Sequence, residues 1–87
     1  MAKYRVLIKP SAAKELEAVD HKKDRQRIVA SILSLANDPR PAGCEKQSGE
    51  DDRYRIRVGR YRVVYSIEDQ ELHVFVVRVG HRKEVYR

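Results

Sequence analysis

The sequence predicts a single α+β domain in which two helices cover one face of an antiparallel sheet. Two observations lead to this prediction. Residues 12–36 place their apolar side chains at helical spacing, whereas residues 53–79 are rich in β-branched side chains and include a stretch that alternates in polarity. The chain has 87 residues, which is enough for one hydrophobic core. We therefore treat residues 1–87 as one domain.

The N-terminal part of the chain predicts a strand followed by two helices. Residues 4–9 are rich in Val, Leu and Ile and are closed by Pro10, which is typical of a strand. Ser11 is the expected N-cap of a first helix over residues 12–19. A longer helix is predicted from about residue 22 to residue 36, and the short link between the two favours an antiparallel hairpin. The apolar residues at helical spacing are Ala13, Leu16, Val19, Ile28, Val29, Ile32, Leu33, Leu35 and Ala36.

The C-terminal half predicts a three-stranded antiparallel meander. Residues 40–52 show no periodicity and contain Pro, Gly and the acidic run Glu50-Asp51-Asp52, which indicates a surface loop. Strands are predicted over residues 53–58, 61–67 and 72–79. The last of these is almost entirely apolar, as expected of a strand that is buried on both faces. We expect the N-terminal strand to lie beside it in the same sheet.

The link between the first two meander strands fixes their register. Only Gly59 and Arg60 separate them, and a two-residue loop with Gly first is typical of a type II′ turn. Counting outward from this turn pairs Val58 with Tyr61 and Arg57 with Arg62. One face is then expected to carry Tyr54, Ile56, Val58, Tyr61, Val63 and Tyr65 beneath the helices. The other face is expected to carry Arg55, Arg57 and Arg62, with the side chain of Arg62 exposed.

The net charge, the cysteine content and the absence of long apolar runs indicate which partners, which cross-links and which compartment to expect. The formal net charge is +6 and the pI is about 9.7, which favours a polyanion or an acidic protein as partner, although a soluble surface can carry the same charge. Cys44 is the only cysteine, so an internal disulfide is excluded, and no Cys/His spacing typical of zinc occurs. The N-terminal apolar run is too short for a signal peptide, and no segment reaches transmembrane length. We expect a cytoplasmic protein with no membrane contact.

The arginine pair on the first two meander strands is costly for folding. Two like charges opposite each other on a sheet disfavour folding by about 0.2–1 kcal/mol. A cationic site for an anion accounts for that cost, and the planar guanidinium fork binds phosphate through two parallel hydrogen bonds and stacks on bases. RNA is therefore favoured over a membrane. The tail after the last strand is expected to reach the start of the strand that carries Arg62, bringing His81 and Tyr86 to the border of this basic surface.

Two motifs resemble those of the RelE-like toxins of toxin–antitoxin pairs, within the RelE/ParE superfamily. The first is Tyr-Arg-Ile-Arg-Val-Gly-Arg-Tyr-Arg-Val-Val-Tyr at residues 54–65, and the second is Val-Val-Arg-Val-Gly-His-Arg-Lys-Glu-Val-Tyr at residues 76–86. The resemblance spans essentially the whole chain. It implies the RelE-like microbial RNase fold and a ribosome-dependent endoribonuclease, which cuts mRNA in the ribosomal A site through attack of the RNA's own 2′-hydroxyl on the adjacent phosphate and so inhibits translation.

The resemblance also implies which residues form the site. The basic residues of the family's first meander strand correspond to Arg55 and Arg57, and its second-strand arginine corresponds to Arg62. The arginine and tyrosine of the tail correspond to Arg82 and Tyr86. The best-known pattern has lysines on the first strand, and a guanidinium is a poor general base because its pKa stays above about 12. We therefore expect either that His81 acts as the base or that the arginines act through charge alone.

Partners and alternatives follow from the same resemblance. It implies a RelB-like antitoxin, the ribosome and mRNA as partners, contact with operator DNA only through the antitoxin complex, and no cofactor or metal. A ParE-like protein that inhibits DNA gyrase without cutting RNA is one alternative. An inactive toxin that serves as an antitoxin-binding corepressor is another.

Overall fold

The protein folds as five strands and two helices in a computed structural model that describes residues 3–47 and 53–81. The strands are β1 (Arg5–Ile8), β2 (Glu45–Lys46), β3 (Arg53–Val58), β4 (Tyr61–Glu68) and β5 (His73–His81). The helices are α1 (Pro10–Glu17) and α2 (Lys22–Ser34), which lie between β1 and β2 in the sequence. The predicted α+β class and the predicted chain order of strand, two helices and meander are confirmed. Neither described helix is long and apolar enough to cross a lipid bilayer.

The five strands form one sheet with the order β1-β5-β4-β3-β2. β1 lies beside β5, as expected for the N-terminal strand, and pairs with it in parallel, while every other pairing is antiparallel. β2 was not predicted. It lies within the segment that showed no periodicity, and a two-residue edge strand is too short to produce a pattern.

The hairpin register predicted from Gly59 and Arg60 is confirmed at every pair. Val58 lies opposite Tyr61, and Arg57 lies opposite Arg62. Gly59 has φ +60°, which a type II′ turn requires at its first position and which Gly adopts at little cost. The alternation of β3 and β4 therefore sends Arg55, Arg57 and Arg62 to the face opposite the core, as expected.

The core lies between the two helices and one face of the sheet. It is built from apolar side chains of α1, α2 and the three meander strands, with Tyr65 the largest side chain that is fully buried. Tyr54 was expected to be buried and is half-buried, while Leu33 was expected on the apolar face and is 61% exposed. The core members are Ala12, Val19, Ile28, Ile32, Leu35, Ile56, Val58, Val63, Tyr65, Ile67, Val74, Val76 and Val79.

The start of α1 differs from its prediction. The helix begins at Pro10 with Lys9 as its N-cap, and no side chain caps it, whereas Ser11 was expected as the cap. Proline is favoured at the first helical position because it lacks an N–H that would have no partner there and because its φ is already helical. The residue that closes β1 therefore also opens α1.

A β-bulge in β5 adjusts which residues reach the core. Val64 lies opposite Arg78 and Tyr65 lies opposite Val76, so Val77 is an extra residue on β5. Because of this insertion Val76 and Val79 are both buried, although strict alternation would put them on opposite faces. Val77 is only half-buried, and so is Phe75, so β5 is not buried on both faces as its sequence suggested.

Candidate functional site

Three of the expected site residues lie on the sheet surface opposite the helices, which we call the arginine face and define by Arg55, Arg57 and Arg62. Arg55 and Arg57 are separated by one residue on β3, so their side chains share this surface. Arg62 on β4 lies directly opposite Arg57. The register of one hairpin therefore brings the three guanidinium groups to one surface.

The three arginines differ in their exposure. Arg57 is exposed, Arg55 is half-buried, and Arg62 is only 2% exposed. The expectation that Arg62 is solvent-exposed is therefore wrong. Its strand lies between β3 and β5, so neighbours flank it on both sides. A buried guanidinium needs partners, and Arg62 interacts with another group of the chain.

An acidic residue moderates the charge at one end of the arginine face. Glu45 on β2 lies opposite Arg55, and its carboxylate Oε2 is 3.5 Å from a guanidinium nitrogen of Arg55. The Glu45 side chain is 61% exposed, so the pair contributes little to stability and leaves its cation accessible to a competing anion. Glu45 therefore offsets part of the positive charge at the β2 end of the arginine face.

His81 does not join the arginines. The tail does arrive beside β4, with Gly80 opposite Arg62 and His81 opposite Tyr61. However, successive residues of a strand point to opposite faces, so His81 shares the face of Tyr61 and not that of Arg62. Its imidazole lies edge-on against the Tyr61 ring, with ring centroids 5.9 Å apart.

The surroundings of His81 are those of a groove on the helical side. A cavity of about 420 Å³ is lined by α1, the α1–α2 link and the end of β5, and His81 and Tyr61 form part of its wall. Glu15 and Asp20 are the acidic residues in that lining. A general base for chemistry on the arginine face is therefore not supplied by the imidazole in this arrangement. Arg82 and Tyr86, the other two expected site residues, lie outside the described residues, as do Glu50, Asp51 and Asp52.

A polar cluster at the far end of the sheet ties four segments together. The Arg40 guanidinium donates two hydrogen bonds to the Asp69 carboxylate, at 2.8 and 3.1 Å, and one to the Tyr54 hydroxyl at 3.2 Å. The Tyr4 hydroxyl donates to Asp69 at 2.6 Å. These bonds lower the pKa of Asp69 to about 2, with Arg40 as the main cause, and the bond to Asp69 raises the pKa of Tyr4. The cluster joins the residue before β1, the strand β3, the β4–β5 turn and the loop after α2.

The loop after α2 is also held by Tyr65, a buried residue of β4. The Tyr65 hydroxyl donates to the backbone carbonyl of Pro39 at 2.8 Å, and its ring stacks against Tyr54 with centroids 6.1 Å apart. Burial raises the pKa of Tyr65, so this hydroxyl stays protonated and acts as a donor. Both tyrosines were predicted on the core face, but their polar partners are distant in sequence and gave no pattern.

Among the described residues, one group of side chains has the composition of a metal site. Possible ligand atoms of Glu68, Glu71 and His73 lie within 4.8 Å of one another at the β4–β5 turn. Arg62 is six residues from Glu68 along β4, which corresponds to about 20 Å. The group is therefore separate from the arginine face.

Comparison with known proteins identifies the family. The sequence model of the ParE toxin of type II toxin–antitoxin systems, parDE, matches residues 6–86. The chain belongs to this toxin family. It is 29% identical over 84 residues to Toxin RelE of Mycobacterium tuberculosis, covering 97% of this chain and 87% of that protein. It is also 30% identical over 66 residues to Toxin RelG of the same organism, covering 70% of this chain and 76% of that protein.

Solved structures agree with the sequence comparison. The archaeal RelE–RelB complex from Pyrococcus horikoshii OT3 contains a chain that matches with a TM-score of 0.81 and 29% identity, over 94% of this chain and 97% of that chain. The resemblance to RelE-like toxins drawn from the two motifs is therefore confirmed, and so is the RelE-like fold.

Proposed function

We propose that this toxin is a metal-independent endoribonuclease that cuts mRNA in the ribosomal A site and thereby inhibits translation. The observation that supports this most is the opposed pair of Arg57 and Arg62, one exposed and one buried, on a sheet surface that the helices leave uncovered. Its similarity to the RelE and RelG toxins of M. tuberculosis supports the same class of activity.

The unequal burial of Arg57 and Arg62 suits a site that binds an RNA phosphate and stabilises the transition state formed at it. An exposed guanidinium can reach an incoming RNA phosphate, whereas a buried one is held in place before the substrate arrives. Two unit charges about 4 Å apart interact by about 4 kcal/mol at an effective dielectric of about 20, against about 1 kcal/mol in water. We therefore assign capture of the phosphate to Arg57, with Arg55 beside it, and stabilisation of the added negative charge to Arg62.

The proposed reaction is an internal transfer within the RNA. The 2′-oxygen bonds to the adjacent phosphorus, and the bond from phosphorus to the 5′-oxygen of the next nucleotide breaks. The products are a 2′,3′-cyclic phosphate and a 5′-hydroxyl. The 2′-hydroxyl proton must leave and the 5′-oxygen must gain one, and arginine cannot accept a proton at neutral pH.

We propose that water accepts the 2′-hydroxyl proton and that water also protonates the leaving 5′-oxygen, because the arginines of this face stay protonated. We propose that Arg82 provides charge at the leaving 5′-oxygen and that Tyr86 stacks on a base or holds the attacking hydroxyl. Because His81 faces the helical side beside Tyr61, the catalytic burden falls on charge and on the positioning that the ribosome provides. Activity on free RNA is accordingly expected to be low.

A RelB-like antitoxin is the proposed protein partner. The matched P. horikoshii structure is a RelE–RelB complex, and this chain has a net charge of +6. We expect the antitoxin to be acidic where it meets the toxin and to cover the basic surface, so that added salt weakens the complex. Operator DNA is expected to contact the toxin only through that complex.

Primer extension on a translated mRNA, with and without induction of this protein, tests the proposed activity. Cuts that recur in phase with codons and vanish when translation is blocked are the expected result. An mRNA that stays intact while cells stop growing would exclude cleavage.

The match to a family named for ParE toxins supports a second candidate, a toxin that blocks DNA gyrase without cutting RNA. In that case the purified protein would stop DNA supercoiling by purified gyrase, and its induction in cells would leave mRNA whole. The two activities therefore give opposite results in the same pair of assays.

A further inference from the structure

The last part of β5 has β4 on one side but extends beyond the end of β1 on the other side. β1 pairs with His73 through Val76 and then ends at Ile8, whereas β5 continues to His81. Val79 is 1% exposed, so water cannot reach its backbone N–H easily. A buried N–H without an acceptor costs about 1–3 kcal/mol, so a group other than a strand must accept this hydrogen bond.

The side chain of Glu15 on α1 supplies that acceptor. Its Oε1 accepts a hydrogen bond from the Val79 N–H at 2.9 Å, and its Oε2 is 3.7 Å from Nε of Arg78. Glu15 lies one helical turn after Ser11, on the part of α1 that packs against β5. One carboxylate therefore holds two successive residues just after the β-bulge, where β1 no longer supports the strand.

The position of this contact links it to the arginine face. Gly80, the residue after Val79, lies opposite Arg62, and the chain continues through His81 into Arg82. A shift at Val79 would move the end of β5, to which residues 82–87, the basic tail, are attached. A misplacement of about 1 Å can reduce a reaction rate by about 10²-fold, so the cost of a loose strand end is large.

We propose that Glu15 is a positioning residue, which fixes the end of β5 and so sets where the basic tail begins relative to Arg62. The claim about activity rests on the proposed RNA cleavage, whereas the claim about order in β5 does not. The exposed ion pair with Arg78 adds little, because both side chains are well exposed, at 45% for Arg78 and 37% for Glu15. The hydrogen bond to Val79 is the contact that matters.

Amide hydrogen exchange of the full chain tests the order of the strand end. In Glu15→Ala the Val79 amide should exchange at least about tenfold faster than in the parent, since a hydrogen bond to a charged acceptor is worth about 1.5–3 kcal/mol. Glu15→Gln keeps an oxygen acceptor and should exchange only about threefold faster. Glu17→Gln removes the same charge from an exposed position on the same helix and should leave the Val79 amide unchanged.

Cleavage of a ribosome-bound codon tests the consequence for catalysis. Glu15→Ala should lower kcat about tenfold with KM nearly unchanged, and Glu15→Gln should recover most of the loss. Thermal unfolding of each variant checks that the fold persists, and if Glu15→Ala does not fold, the comparison of Glu15→Gln with Glu17→Gln decides.

Two results would overturn the proposal. Exchange at Val79 that is the same in the parent and in the Glu15 variants would remove the ordering role. Faster exchange with unchanged kcat would remove the positioning role. If the parent itself leaves mRNA intact, the proposed function fails, while the exchange measurement still decides whether Glu15 orders β5.

Discussion

Substitutions of Arg62 can separate an effect on stability from an effect on cleavage, because this residue is both buried and opposite another arginine. Arg62→Ala removes the guanidinium and two buried methylenes. Arg62→Met removes the charge but keeps an unbranched side chain of similar reach in the same space. Comparing the two variants separates the loss of packing from the loss of charge.

The expected magnitudes follow from its burial at 2% exposure. Loss of two methylenes costs roughly 1.6 kcal/mol at about 0.8 kcal/mol each. Relief of the repulsion from Arg57 returns about 0.2–1 kcal/mol. Both variants also lose the interaction of Arg62 with another group of the chain, so Arg62→Ala should lower the free energy of unfolding by at least about 1 kcal/mol, which lowers Tm by about 4 °C or more in a domain of this size. Arg62→Met keeps the packing and should lose less stability than Arg62→Ala.

Both variants should lose about 10²–10³-fold in the rate of codon cleavage, since each lacks one preorganised donor to the transition state. Thermal unfolding and single-turnover cleavage on programmed ribosomes measure the two effects. Parental cleavage by a folded Arg62→Met would refute a role for this guanidinium in the reaction. Parental stability of Arg62→Ala would refute the packing argument.

Further predictions concern other groups. His81→Ala should keep cleavage within about threefold of the parent, because the imidazole lies on the side of Tyr61 and not on the arginine face. Loss of a general base would cost about 10²–10⁴ in rate, so a loss of that size would restore His81 as the base. Tyr86→Phe should lose less activity than Tyr86→Ala if stacking outweighs the hydroxyl, and equal losses in a cleavage assay would contradict this. Asp69 has a pKa lowered to about 2, so its contribution to stability is complete above the unfolded value of about 3.9 and is lost as the pH falls through about 2. Asp69→Asn should therefore flatten the decline of stability between about pH 4 and pH 2 in acid denaturation, and an unchanged slope would mean that the cluster with Arg40 does not persist in solution.

The hairpin shows what local sequence determines. A two-residue turn with Gly at its first position allows one register, and each pair between β3 and β4 then follows by counting. The face on which Arg55, Arg57 and Arg62 lie was therefore predictable. The position of the N-terminal strand beside β5 was also predictable, since β5 is apolar enough to be an interior strand, whereas the parallel orientation of the two strands was not predicted.

Features that depend on distant contacts were not predictable. The burial of Arg62 depends on its neighbours in β3 and β5, and alternation indicates only which face a side chain occupies. The contact of Glu45 with Arg55 depends on a two-residue strand that leaves no periodicity. The bulge at Val77 and the contact of Glu15 with Val79 both lie beyond the last residue of β5 that pairs with β1, and no local pattern in β5 indicates either of them.

The face of the sheet on which the His81 side chain lies could not be predicted from the closeness of β5 to β4 alone. The sequence correctly brought the end of β5 next to the start of β4, and adjacency suggested that the imidazole would join the arginines. The pairing of Gly80 with Arg62 instead sends His81 to the side of Tyr61. Assigning it a role required the register between β4 and β5 as well as the order of the strands.

Cleavage of mRNA on the arginine face is tested most directly by substituting Arg57, the exposed residue of the pair that it forms with Arg62. Arg57→Ala and Arg27→Ala remove the same charge from exposed positions, the first on the arginine face and the second on α2. Codon cleavage would be followed on ribosomes carrying a defined mRNA in the A site. Arg57→Ala should lose about 10²-fold or more in rate while Arg27→Ala stays close to the parent. Equal rates for the two variants would contradict a cleavage site on this face.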